Sequence, residues 1–208
     1  ANKIVNGKQI TICFHVDDCK ISHECTKVVD ATIKWLRAEY ESIFEDGSGV
    51  MKVHRGKVHK YLGMSLDFSH KGQCHVTMYD YLDGIREAFD AAVEKHGDGF
   101  IPVTKQRFKT PAPDNLFVVN EDCDKLSEAA SADFHTIVAK TLYVTKRARP
   151  DTCLAIAFLT TRVRAPDTDD WDKLCHLMEY LRGDRPLILG ADNNGLLMWY
   201  VDASFAVH

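Results

Sequence analysis

Two aspartates, Asp17 and Asp18, stand side by side directly after the run Gln9-Ile10-Thr11-Ile12-Cys13-Phe14-His15-Val16. That run is β-branched and aromatic, suited to a buried strand, and Cys19 to Ser22 resumes an alternating pattern, so the aspartates fall at the tip of a hairpin. Adjacent like charges repel, and tight hairpin turns favour Asn-Gly or Asp-Gly, where a positive φ is cheap. The residues leave two readings open. One is an exposed acidic turn; the other is a divalent-cation site, because Mg²⁺ takes oxygen ligands and commonly combines one or two carboxylates with substrate phosphates. An ion held in this way can stabilise both oxygens of an in-line phosphoryl transfer.

Other groups of chemically capable side chains carry less. His15, Cys19, His23 and Cys25 lie close in sequence, but their spacing fits no common zinc finger, and strand alternation divides them between faces. His54 and His59 read as surface residues, Trp35, Trp171 and Trp199 as core, and Cys153 and Cys175 as small buried apolar residues within helices. The seven cysteines are scattered and never spaced as CxxC, which argues against a disulfide framework and fits a reducing compartment.

The chain has 208 residues and a net charge of −4, with 45% hydrophobic and 27% charged residues. This composition is too apolar for disorder and allows one or two domains. No run reaches the roughly 18 to 20 apolar residues of a membrane span, and the N-terminus lacks the apolar core of a signal peptide, so a soluble, intracellular chain without a membrane partner is expected. Mild net acidity by itself argues against a nucleic-acid partner. Between residues 140 and 164, however, Lys140, Lys146, Arg147, Arg149, Arg162 and Arg164 face Asp151 alone. Local field governs the binding of a polyanion more than net charge does.

The elements that must position these groups follow from periodicity. Val29, Ile33, Leu36, Tyr40 and Ile43 share one face of a helix over residues 24–44. Residues 50–68 read as short strands around Gly56 and Gly63, and residues 74–78 as another strand. A second helix carries Leu82, Ile85, Phe89 and Val93 and ends near Gly97. Pro102, Pro111 and Pro113 mark an extended connector over residues 101–124. Three helices follow: one with Phe134, Ile137, Val138, Thr141, Leu142 and Thr145 on one face, one over residues 151–163 that is apolar nearly all round, and one capped by Thr168 with Trp171, Leu174, Cys175, Met178 and Leu181 inward. Residues 183–195 read as a turn-rich return and residues 196–203 as a strand. The pattern is α+β with an antiparallel sheet, followed by a small helical bundle.

In order along the chain, several of these segments resemble motifs of the reverse transcriptases of copia-type (Pseudoviridae) retrotransposons. Phe14-His15-Val16-Asp17-Asp18 resembles the polymerase hairpin, and Lys60-Tyr61-Leu62-Gly63-Met64 the Leu-Gly strand motif that follows it. Thr110-Pro111 resembles the Thr-Pro connector, Leu142-Tyr143 with Arg149-Pro150-Asp151 the Leu-Tyr and Arg-Pro-Asp segment, and Pro166, Trp171 and Tyr180-Leu181-Arg182-Gly183 the helix beyond it. Tyr200-Val201-Asp202-Ala203-Ser204-Phe205-Ala206 resembles the first strand of an RNase H domain.

The resemblance implies a partial polymerase palm over residues 1–100, the connector over 101–124, a three-helix thumb-like domain over 125–183, and the start of RNase H over 184–208. It implies Asp17 and Asp18 as catalytic metal ligands, with Asp17 the more direct, and Asp202 as the first metal-binding acid of RNase H. Mg²⁺ or Mn²⁺ would be the cofactor. Partners would be an RNA or DNA template-primer duplex, deoxynucleoside triphosphates and the rest of the Pol polyprotein, in a cytoplasmic virus-like particle or the nucleus. The basic segment would contact phosphates through Lys140, Lys146, Arg147 and Arg149, with pairing to a neighbouring carboxylate as the competing role for Arg149. His15 stands where the family most often has Tyr. Both ends look cut, with the third polymerase aspartate expected upstream of Asn2, so the expectation is a fragment inactive by itself. The alternative is a non-catalytic nucleic-acid-binding remnant of a decayed element.

Overall fold

The structure, a computed structural model, describes residues 1–41, 49–97 and 108–190. It is an α+β fold with two antiparallel sheets and five α-helices among the described residues. Strands β1 (Asn2–Val5), β2 (Lys8–His15) and β3 (Asp18–Ser22) form the first sheet in that order, and α1 (Thr26–Tyr40) follows. Asn6 at φ +52° and Gly7 at φ +75° join β1 to β2, the Asn-Gly pair that a two-residue hairpin turn favours.

The second sheet has the order β4 (Val58–Tyr61), β5 (Met64–Asp67), β6 (Gln73–Thr77) and β7 (Leu187–Gly190). Helix α2 (Tyr79–His96) leaves β6 and buries Leu82, Ile85, Phe89 and Ala92, a spacing of three and four that puts all of them on one face. Helix α3 (Glu128–Thr145) packs on α2, and a 3₁₀ turn (Pro150–Thr152) leads into α4 (Cys153–Arg162) and then α5 (Thr168–Leu181). One hydrophobic core joins these parts. It runs from Leu66 and Val76 in the sheet through Phe89 to Phe134, Ile156, Trp171 and Leu177. Trp171 is its centre, with Phe89 stacked at 6.0 Å and Phe134 at 6.4 Å between ring centroids.

Several expectations are corrected. Helix α1 begins at Thr26, two residues later than its sequence pattern suggests; residues 42–44 of the expected span lie outside the described residues. Strand β2 is not buried: only Ile10 is, and Phe14 is 72% exposed, because the first sheet has too little packed against it. Trp35 is 53% exposed rather than core, for the same reason. Cys153 is exposed at the start of α4, and Leu154 beside it is 60% exposed, so α4 shows one face to solvent instead of being enclosed.

Asp167, not Thr168, caps α5. Its carboxylate accepts from the Asp170 backbone N–H at 3.0 Å while the Asp170 carboxylate accepts from the Asp167 N–H at 3.1 Å, a reciprocal capping box. Strand β7 lies within the expected turn-rich return and pairs with β6, Cys74 opposite Leu189 and Val76 opposite Leu187. The expected strand over 196–203, with Trp199, lies outside the described residues.

Candidate active site and nucleic-acid interface

Strands β2 and β3 pair in the register Thr11 to Ser22 through His15 to Asp18, which leaves Val16 and Asp17 as a two-residue turn. Val16 has φ +52°. A β-branched residue in the left-handed region is a true outlier and costs on the order of 1–3 kcal/mol unless the surroundings enforce it. An Asn or Gly at this position would remove the strain, as Asn6-Gly7 does at the neighbouring turn. Asp17 and Asp18 are both exposed, and although Asp18 pairs with His15 through its backbone, neither carboxylate makes a hydrogen bond or ion pair within the described residues. Two carboxylates with no internal partner therefore sit on a strained, solvent-facing tip.

A second hairpin lies beside the first. Its turn is Leu62-Gly63, at φ +50° and +76°, so a bulky residue again holds a backbone conformation that favours glycine or asparagine. Here the enforcing contact is visible. The Tyr143 hydroxyl of α3 donates to the Leu62 carbonyl at 3.2 Å, and the Tyr143 ring lies 5.2 Å from Tyr81 of α2. One residue earlier in the hairpin, Tyr61 has its hydroxyl pKa pushed up by burial and by neighbouring Cys13, Asp18 and Cys19. Tyr61 thus lies within electrostatic range of Asp18, and Leu62 is held by helix α3. Lys20 of β3 also lies over the Phe68 ring, 4.9 Å from its centroid, a further contact between the two sheets.

The basic segment divides in two. Arg147 stacks on the Tyr143 ring at 3.5 Å and donates to the Tyr143 carbonyl at 3.1 Å, which fixes a half-exposed guanidinium beside the Leu62-Gly63 turn. Lys146, the C-cap of α3, is exposed, and Lys140 is half-buried two turns earlier. Lys140, Lys146, Arg147 and Arg164 have no carboxylate partner among the described residues, so their charge is available to a ligand.

Arg149 and Arg162 are committed internally. Arg149 is buried; it donates from Nε to Asp151 Oδ1 at 3.0 Å, from Nη2 to Asp151 Oδ2 at 2.9 Å, and from Nη1 to the Gly183 carbonyl at 3.2 Å. The Tyr180 hydroxyl donates to Asp151 Oδ2 at 2.6 Å. Burial opposes the charge on both partners, yet the paired hydrogen bonds prevail, holding Arg149 above its ordinary pKa and Asp151 below its own. Placing Arg149 among phosphate contacts is therefore not supported by its position: a guanidinium with three internal acceptor atoms and almost no exposure is not presented to a ligand. Arg162 likewise bridges Asp167 and Asp170, the capping box of α5.

Among the described residues no group of three or more His, Cys, Asp or Glu side chains is placed to hold a metal ion. The His23 ring is occupied by backbone, its Nδ1 accepting from the Cys25 N–H at 2.9 Å and its Nε2 lying 3.2 Å from the Val5 carbonyl oxygen. Asp202 lies outside the described residues. What the residue pattern did not assign is the part played by Tyr143 and Tyr61. Both fall inside the quoted motifs, but Tyr143 meets Leu62 across 81 positions and Tyr61 senses Cys13, Asp18 and Cys19 of another hairpin, which no local spacing reports.

Comparison with protein-family models, with curated proteins and with solved structures gives no match for this chain. No described helix is long and apolar enough to cross a membrane.

Proposed function

We propose that this chain is the C-terminal palm and thumb region of a reverse transcriptase of the copia type, with the start of an RNase H domain in residues 184–208. The observation that carries the reading is the Asp17-Asp18 tip. It is strained at Val16, exposed, free of internal partners, and set beside a second strained hairpin clamped to α3. Strain of this kind is retained where a turn serves something other than stability. The donor set is all oxygen, which suits Mg²⁺ or Mn²⁺ in type. Asp17 and Asp18 would be the residues that hold the ion, with any further ligand coming from outside the described residues. The bound ion would supply charge neutralisation at the reacting phosphate oxygens.

The chain's own residues supply positioning. Lys146 and Arg147, with Lys140 farther along α3, present positive charge beside the Leu62-Gly63 turn, so a template-primer duplex can be held by its phosphates without reference to base sequence. Tyr143 joins that charge to the β4–β5 hairpin, whose Tyr61 lies within electrostatic range of Asp18, so the face that would hold the duplex is tied to the neighbourhood of the acidic tip. Deoxynucleoside triphosphates and the remainder of a Pol polyprotein are the other partners the reading requires.

Primer extension by the polypeptide that carries this chain tests the reading. Asp17→Asn together with Asp18→Asn should abolish extension while duplex affinity persists. Undiminished extension would refute it, and duplex binding without extension by the unaltered polypeptide would favour the non-catalytic remnant.

A further inference from the structure

The opposite end of the first sheet carries a feature that duplex binding does not use. Helix α1 buries no residue although it contains Val28, Val29, Ile33, Trp35 and Leu36. Val29, Ile33 and Leu36 fall on the helix face that is partly covered. Val28, Ala31 and Trp35 fall on another face and form one wall of an open groove of about 550 Å³, whose other wall is Val5 and Asn6 at the β1–β2 turn. A helix apolar on two faces requires cover on both. The second cover is missing among the described residues.

The charges around this groove indicate what the cover is. On this part of the molecule Lys8, Arg37 and Arg55 are paired, with Glu24, Glu41 and Asp30 respectively. The lysines beside the groove are not. Lys27 lines it, Lys34 lies two turns along the same helix stripe, and Lys3 shares a strand face with Val5; none has an ion-pair partner among the described residues. Asp30, one turn from both Lys27 and Lys34, is taken by Arg55, and Glu39 lies one turn beyond Trp35.

We propose that this groove is a docking site for an acidic amphipathic helical segment of a partner protein. One large apolar side chain would seat against Trp35 between Val5 and Val28, and carboxylates would meet Lys3, Lys27 and Lys34. Half-exposed tryptophan in a concave apolar floor is the usual anchor of such contacts, and a rim of unpaired like charge selects the partner's sign. Beside Val5, Val28, Ala31 and Trp35 the groove is lined by Asn6, Lys27 and Thr32, a mixed surface that suits an amphipathic segment. The groove lies at the end of β2 away from Asp17-Asp18, roughly 25 Å along an eight-residue strand, so an occupant leaves the acidic tip open. The proposal is independent of the polymerase reading.

The test is fluorescence anisotropy with two labelled 16-residue helical peptides that share Leu and Phe at i, i+3, i+4 and i+7 and differ only in Glu or Lys at the polar positions. The 208-residue chain should bind the Glu peptide at least tenfold more tightly than the Lys peptide. Lys27→Glu with Lys34→Glu, both exposed, should reverse that order, and Trp35→Ala should weaken both peptides at least tenfold, each with an unchanged circular dichroism spectrum. Equal binding of the two peptides, or none, would overturn the proposal. So would loss of duplex affinity in the lysine variant without effect on the peptides, which would assign the groove to nucleic acid. A concentration-dependent dimer in sedimentation, abolished by Trp35→Ala, would assign it to a second copy.

Discussion

The first sheet with α1 buries a single hydrophobic side chain, Ile10, whereas the second sheet and helices α2 to α5 bury Leu82, Ile85, Phe89, Phe134, Trp171 and Leu174 almost completely. The two regions are similarly apolar in sequence, so composition does not explain the difference. What differs is where the apolar residues go. In the helical region they meet one another; in the first region Phe14, Val16, Trp35 and Tyr40 face solvent, and the two acids at the hairpin tip make no internal bonds. The helical region stabilises the chain, and the first region presents surfaces.

Mutations that act on stability in one region should therefore be silent in the other. The largest contrast is between two tryptophans. Trp171→Ala should cost about 3–5 kcal/mol in urea unfolding, through lost burial and a cavity between Phe89 and Phe134. Trp35→Ala should cost under about 1 kcal/mol, since half its surface is already in water. Equal costs would show that α1 belongs to the same core.

Next in size is Arg149→Met, which removes the buried partner of the exposed Asp151. Because Asp151 stays open to water, the cost is that of lost charge-assisted hydrogen bonds, about 1.5–3 kcal/mol. The effect has a pH signature. Asp151 is held below its ordinary pKa, so its contribution is present above the unfolded carboxylate value near 3.9 and is lost as pH falls through the lower folded value. The destabilisation by Arg149→Met should thus be largest at neutral pH and shrink in acid, in unfolding curves taken from pH 7 to pH 3. A pH-independent loss would contradict the pairing. Smaller still, Asp167→Ala should cost about 1–2 kcal/mol by removing the cap of α5 and a partner of Arg162 and Lys125.

Local spacing made much of this legible. The hairpin around Asp17-Asp18 follows from a β-rich run and its resumption after the turn, and α2 and α5 from apolar residues at steps of three and four. What stayed hidden depends on contacts distant in sequence. Arg149 looks like a surface cation until Gly183 and Tyr180 close over it, 34 and 31 residues later. Strand β7 is a strand because β6 is there to receive it, more than a hundred residues earlier. Trp35 has the pattern of a core residue and lacks only a core. Thr168 and Asp167 are both able caps, and Lys125 with Arg162 favours the aspartate.

The proposed function divides the basic segment into a half that would hold nucleic acid, at Lys146 and Arg147, and a half that holds the fold, at Arg149 and Arg162. Salt dependence of duplex affinity tests it most directly, because each phosphate contact adds about −0.9 to the slope of log K against log salt on a B-form duplex. With a B-form DNA duplex as the probe, Lys146→Ala with Arg147→Ala should make that slope shallower by roughly two units while stability falls by no more than about 1 kcal/mol, the scale of the Arg147–Tyr143 stacking. An unchanged slope would contradict the claim.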